Sequence, residues 1–194
     1  MKLSWRKIIT MGMLAAVSYV LRLLEIPLPF LLPPFLKLDF SDLPALIGAF
    51  AFGPVSGIAI SLVKNLLCLL NPTTLGIGEL CNFLISVPLL LIAGLVYRKY
   101  KSRRSATLGA LLGAIAAGLC SLPINYYIAY PLFARFLIPW DVILGMYREL
   151  VPGIANMWQA LLIFNLPFTL IKGLLVFLLS FFIYKPLSPL LKQD

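Results

Sequence analysis

The chain has 194 residues, a formal net charge of +9, 61% hydrophobic residues and 12% charged ones. A soluble domain is about half apolar and about a quarter charged. This composition therefore excludes an ordinary water-soluble enzyme and excludes disorder, and it makes the bilayer the solvent of one membrane domain, 1–194.

The first predicted span runs from Ile8 to Leu24, behind Lys2, Arg6 and Lys7. Its apolar run passes the length of a signal-peptide core without a clear A-x-A site, so it reads as a membrane helix. Pro27, Pro29, Pro33 and Pro34 then forbid helix and predict an irregular loop. Phe35 to Phe40 follows, with apolar and charged residues interleaved. Ser41 or Asp42 is placed to cap a short helix, Leu43–Phe52, with Pro44 in its first turn. At about 1.5 Å per residue that helix is too short to cross a bilayer alone. Gly53-Pro54 breaks it, and a third span runs from Val55 to Leu70. Asn71-Pro72 ends that span, and Gly76 and Gly78 open a fourth over Glu79–Tyr97. A fifth covers Ala106–Tyr130, interrupted by Pro123. A long connection, Pro131–Phe164, precedes the last span, Pro167–Tyr184.

Charge gives these six spans an orientation. Ten of the sixteen basic residues lie at the N-terminus, in the 98–104 cluster (Arg98, Lys99, Lys101, Arg103, Arg104) and at the C-terminus (Lys185, Lys192). Short basic clusters beside apolar spans mark cytoplasmic loops. Both termini are then cytoplasmic, in a multi-pass protein of the cell membrane. The segments 25–42, 71–78 and 131–163 face outward. The expected fold is all-α, six transmembrane helices, with an outer pocket roofed by Pro- and Gly-rich loops. Irregular backbone near membrane depth survives only when it is buried in protein or lines a cavity. A nucleic-acid partner is not expected, because that footprint needs a folded basic face with base-stacking aromatics.

Chemistry is sparse. Histidine is absent, which removes Ser-His hydrolases, His-based zinc sites and His-ligated haem. Cys68, Cys81 and Cys120 lie inside apolar runs with neither metal spacing nor a disulfide framework. There is no P-loop, no carboxylate pair spaced for acid–base work and no acidic cluster for Mg²⁺. No metal, catalytic residue or cofactor is expected.

Ionisable residues within spans are costly and need a cavity or a partner. Arg22, near the end of its helix, either snorkels or faces such a cavity. Lys64 is mid-span and precedes Asn65. Glu79 and Asn82 share a helix face. Lys64 and Glu79 are either a structural pair or ligand contacts. In the last span Asn165, Thr169 and Lys172 form one polar stripe at i, i+4, i+7. The stripe reads as interhelical glue or as a binding face, and Asn125 beside Pro123 adds an amide. Tyr126, Tyr127, Tyr130 and Trp158 form an interfacial belt or the walls of a pocket for a flat ligand. Gly12 and Ala16, with Ala15 beside them, form a small-residue face that suits close approach of another helix, inside the protein or outside it.

The stretch Phe35-Leu-Lys-Leu-Asp-Phe-Ser-Asp-Leu-Pro-Ala-Leu-Ile-Gly48, then Phe52-Gly-Pro54 and Lys64-Asn-Leu-Leu67, resembles the substrate-binding S components of energy-coupling factor (ECF) transporters. The riboflavin-binding branch is the most similar. Gly76-x-Gly-Glu-Leu-x-Asn-Phe-Leu84 and Pro167-Phe-x-x-x-Lys-Gly173 resemble it too. The resemblance implies a six-helix protein that binds a vitamin from outside. It docks on a transmembrane scaffold subunit carrying two ATPase subunits, which drive its toppling and inward release. It implies that loop 33–41 gates the pocket, with Leu36, Leu38 and Phe40 on it. Asn125 and Lys172 match positions resembling ligand contacts, and Gly12, Ala15 and Ala16 match the scaffold-docking face. One departure stands out. The branch usually carries Asn two residues after the Pro of the last span; here it is Thr169, whose hydroxyl lacks the paired donor and acceptor of an amide. Asn165, one turn earlier, is a substitute.

The expectation is an uptake receptor for riboflavin as transported ligand, held by Asn125, Asn165, Thr169 and Lys172, with Lys64, Glu79 and Asn82 as further candidates. Pantothenate or another vitamin is the alternative within the class. An integral-membrane enzyme would need Lys64 and Glu79 in a cleft open to the cytoplasm. A ligand-free scaffold would have the stripe filled by neighbouring helices.

Overall fold

A computed structural model describes residues 5–191, with side chains described through 180 and at 182. Lys2, Lys192 and Asp194 lie outside the described residues, and the side chain of Lys185 outside the described side chains. The fold is almost entirely helical. The elements are α1 (Trp5–Leu23), β1 (Ile26–Pro27), β2 (Lys37–Leu38), α2 (Asp42–Phe52), α3 (Pro54–Cys68), α4 (Ile77–Tyr100), α5 (Arg103–Ile124), α6 (Tyr130–Phe136), α7 (Trp140–Leu150), α8 (Met157–Ala160) and α9 (Leu166–Leu191). π-Helical turns at Asn125–Ala129 and Leu161–Asn165 join α5 to α6 and α8 to α9.

Among the described residues, three continuous stretches are long and apolar enough to cross a membrane: Ile77–Tyr100, Arg103–Phe136 and Met157–Ser180. The helices α2 and α3 are apolar but shorter. Large hydrophobics point outward along the bundle, among them Leu108, Leu112, Leu119, Ile171 and Leu178, while Ser61, Ser86, Ser121 and Asn165 are buried. Polar inside and apolar outside is the arrangement that a lipid solvent selects.

Several boundaries differ from the expected ones. The fourth span begins at Ile77 and runs to Tyr100, because Gly76, at φ +84°, supplies the left-handed turn before it. The fifth begins at Arg103, where Ser102 and Ser105 cap each other reciprocally. It does not stop at Tyr130. Pro123 lacks an N–H, and the helix absorbs the defect as a π-turn and continues to Phe136. The connection 131–164 is itself helical: α7 is amphipathic, burying Ile143, Leu144 and Tyr147. Loop 25–42 is not wholly irregular, since β1 and β2 pair antiparallel, Ile26 with Leu38 and Pro27 with Lys37. α2 begins at Asp42, but neither Ser41 nor Asp42 serves as the expected cap. Ser41 makes no side-chain capping bond, because the side chains of both residues are taken by buried ionic partners.

Small residues let the helices close up. A Cβ on Gly113 would lie 2.7 Å from the Leu89 carbonyl oxygen, and one on Gly94 would lie 2.8 Å from Pro54 Cα. α4 thus approaches α5 at Gly113 and the start of α3 at Gly94, backbone to backbone. Ser61 Oγ and Ser86 Oγ, 2.7 Å apart, tie α3 to α4. One apolar cluster centres on α2, with Leu46, Ile47, Ile60 and Leu90. A second gathers Tyr130, Tyr147, Met157 and Phe164 at the end where α4 starts and α5 finishes. A cavity opens beside this second cluster.

Candidate functional site

The cavity has a volume of about 350 Å³. It is bounded by the end of α1, loop 34–39, the first turns of α4, the π-turn after α5, α6, and the start of α9. Its walls are mostly apolar: Phe35, Leu36, Ile85, Leu89, Phe133, Ile138 and Phe168. Amides, hydroxyls and charges interrupt them at Asn82, Asn125, Asn165, Thr169 and Lys172. That mixture of apolar wall and few convergent polar groups, at this size, is the character of a small-molecule site.

Both π-turns deliver an asparagine to the cavity. Asn125 opens the first, and Nδ2 donates to the Ser121 carbonyl at 2.7 Å. Asn165 closes the second, and its amide is held by Tyr130 and Tyr147. Each π-turn sits next to a proline, Pro123 or Pro167, so each asparagine is set where the regular helix ladder is broken. Thr169 lines the cavity, yet its hydroxyl donates back to the Asn165 carbonyl at 2.8 Å. It holds helix α9 locally instead of replacing an amide.

Charge in the site is paired. Lys172 Nζ lies 3.0 Å from Asp39 Oδ2 and 3.5 Å from Asp42 Oδ2. Lys64 Nζ donates to Asp42 Oδ1 at 2.8 Å and to Ser41 Oγ at 3.0 Å. Asp39 Oδ1 accepts from the Ser41 N–H at 2.9 Å and from its hydroxyl. Two ammonium groups thus face two carboxylates in a closed network. Burial alone would raise the Asp39 carboxyl, but the Lys172 and Lys64 ammonium groups override it and hold it well below the usual carboxylate range. At the rim, Glu25 accepts from both Arg22 and Lys37.

These positions correct several expectations. Lys64 does not pair with Glu79. It is fully buried against Asp42 and does not line the cavity. Glu79 is also outside the lining and accepts from the Thr74 hydroxyl at 3.3 Å. Leu36 lines the cavity, whereas Leu38, paired with Ile26 in the β1–β2 ribbon, and Phe40 do not. Arg22 lines the cavity and pairs with Glu25. Of the four aromatics offered as belt or pocket wall, Tyr130 is buried and lines the cavity, while Tyr126 stacks on Trp158 at 4.4 Å away from the cavity and Tyr127 is exposed. On α1, Gly12 and Ala16 are exposed and nothing lies within 4 Å of a Cβ on Gly12, but Ala15 is buried in the α2 cluster and presents no outer face.

Sequence reasoning missed Asp39, Asp42 and Tyr147. The Asp-x-x-Asp spacing before a short helix was the available signal for the first two. For Tyr147 the signal is the amphipathic pattern of the proline-bounded segment Trp140–Leu150. Among the described residues no group of three Cys, Asp or Glu side chains is arranged to hold a metal ion.

Residues 6–184 match the family described as ECF transporter, substrate-specific component. The chain is 34% identical over 188 residues to the riboflavin transporter RibU of Staphylococcus aureus, covering 97% of this chain and 93% of that protein. It is 30% identical over 193 residues to the riboflavin transporter FmnP of Bacillus subtilis, covering 97% and 95%. A solved S component of a bacterial ECF transporter superposes with a TM-score of 0.74 at 34% identity, over 96% of this chain and 98% of that one. The chain belongs to the family of substrate-specific S components of ECF transporters.

Proposed function

We propose that this S component binds riboflavin in the cavity between α4, α6 and α9 and carries it inward. The observation that carries the reading is the cavity itself. It is walled by Phe35, Phe133 and Phe168 and edged by the amides of Asn82, Asn125 and Asn165 and the ammonium of Lys172. A flat heteroaromatic ring with carbonyl and N–H edges meets apolar faces and amide edges at once. The names of the S. aureus and B. subtilis relatives support the same ligand. The ring edge meets Asn125, Asn165 and Lys172, while Leu36 and Phe35 on loop 33–41 cover its face.

In this reading α1, α3, α4, α5 and α9 cross the cell membrane, and the 11-residue α2, too short to cross alone, completes the sixth pass together with the buried end of the loop ahead of it. Both termini and the 98–104 turn are cytoplasmic, and the cavity opens outward. Charge asymmetry supports that orientation, since the 98–104 cluster lies at the end of the bundle opposite the cavity. A transmembrane scaffold subunit bearing two ATPases supplies the energy, and the exposed Gly12 and Ala16 face on α1 meets that scaffold. The test is the absorbance spectrum of the full chain purified in detergent from riboflavin-supplied cells. The flavin bands are expected near stoichiometric amounts; a colourless protein that stays colourless after incubation with riboflavin contradicts the reading.

A further inference from the structure

Tyr147 is 0% exposed and lies on α7, the amphipathic helix of the long connection; it does not line the cavity. Its hydroxyl nevertheless donates to Asn165 Oδ1 at 2.6 Å. Asn165 Nδ2 donates to the Tyr130 hydroxyl at 2.9 Å, and the two tyrosine hydroxyls are 2.5 Å apart. The three groups close a ring in which each donates once and accepts once. Both hydroxyl protons are then spent, and one N–H and one lone pair of the Asn165 amide remain for anything in the cavity. From the other side, Phe35 of loop 33–41 sets its ring edge-on to both tyrosines, with centroids 5.9 Å from Tyr130 and 5.8 Å from Tyr147. The same tyrosine pair therefore supports the cavity amide and seats the loop that covers the cavity.

We infer that Tyr147 is a positioning residue that couples seating of loop 33–41 to the placement of the Asn165 amide. It holds the site in its closed form without touching the ligand. With Phe35 seated, the tyrosine pair is fixed and the amide ring stays intact. With Phe35 lifted, both tyrosines lose their apolar cover and the amide loses its fixed plane. α7 thereby belongs to the closing device, although it contributes Met146 alone to the cavity lining. The inference rests on the cavity being the ligand site, and its test separates the two claims.

The test uses the full chain in detergent, with Tyr147→Phe, Tyr130→Phe and Ser61→Ala. Ser61→Ala removes a buried hydroxyl bond between α3 and α4 and serves as the comparison for general loosening. Hydrogen exchange without ligand is read at the amides of 35–41. Stranding buried polar groups at this ring is expected to accelerate that exchange roughly tenfold in Tyr147→Phe. Ser61→Ala is expected to leave it unchanged. Riboflavin release measured by stopped flow is expected to accelerate by a similar factor, with the Asn165→Ala and Tyr147→Phe effects strongly non-additive. Unchanged loop exchange in both tyrosine variants, equal acceleration in Ser61→Ala, or simple additivity with Asn165→Ala would overturn the coupling. If the wild-type chain takes no riboflavin, the ligand assignment fails, and the exchange data still decide the coupling.

Discussion

Lys172 on α9 and Asp39 on the loop ahead of α2 face each other with Nζ and Oδ2 3.0 Å apart, across 133 residues of sequence. This contact ties the cover of the cavity to the helix that carries its polar stripe. Asp39 and Lys172 expose only 4% and 13% of their side chains, so removing one partner strands the other in a low-dielectric setting.

Lys172→Met is therefore expected to cost stability as well as ligand binding, because Asp39 and Asp42 are left with Lys64 alone. Breaking a buried pair typically costs about 3–5 kcal/mol. Asp39→Asn combined with Lys172→Met is expected to recover much of that stability without restoring affinity. Thermal unfolding in detergent and riboflavin titration of the same samples check both halves. A double variant no more stable than Lys172→Met would show that the pair is not the source of the loss.

Thr169→Val is expected to change riboflavin affinity by less than about threefold, since a neutral hydrogen bond contributes roughly 0.5–1.5 kcal/mol and this one is spent on the Asn165 carbonyl. Asn125→Ala, by contrast, removes an amide that lines the cavity, and a loss of about tenfold or more is expected. Equilibrium titration of the two variants side by side distinguishes the helix-bound hydroxyl from the cavity amide.

Substitutions on α1 should separate by face. Gly12→Leu and Ala16→Leu alter an exposed surface and are expected to leave binding intact while abolishing cellular uptake. Ala15→Leu overpacks a buried position and is expected to lower stability by about 1–3 kcal/mol. Uptake assays and melting curves on the three variants check this, and a binding loss in Gly12→Leu would contradict the docking assignment.

The pH dependence follows from Asp39. Its carboxyl pKa is depressed in the folded protein, so the unfolded chain binds its proton first on acidification. Its stabilising contribution is complete above about pH 4, the ordinary Asp range, and is lost as pH falls toward the depressed value. With no histidine in the chain, binding and stability are expected to be flat from about pH 5.5 to 8. Melting temperature followed from pH 8 down to pH 3 tests this, and a step near pH 6.5 would contradict it.

Much of the bundle was legible because apolar length and proline breaks are local signals. The polar stripe Asn165, Thr169 and Lys172 was visible as a helical period, and all three residues line one cavity. Sequence alone pairs Lys64 with Glu79 because those two are the ionisable residues of neighbouring spans. The structure instead turns α2 back against α3, which brings Asp42 to Lys64. Such antiparallel folding at Gly53-Pro54 sets depth, and depth is not encoded in residue spacing. The π-turns escaped notice because one inserted residue shifts the 3.6 period by about 100° without changing composition. Tyr147 was hidden for a related reason: Pro139 and Pro152 bound α7 tightly, and its partners Tyr130 and Asn165 are 17 and 18 residues away.

The most direct measurement is quenching of riboflavin fluorescence by the purified full chain and by Asn125→Ala. The account predicts saturable quenching at one flavin per wild-type chain, markedly weakened in the variant. Flavin emission left undiminished by a folded, monodisperse wild-type sample would contradict it.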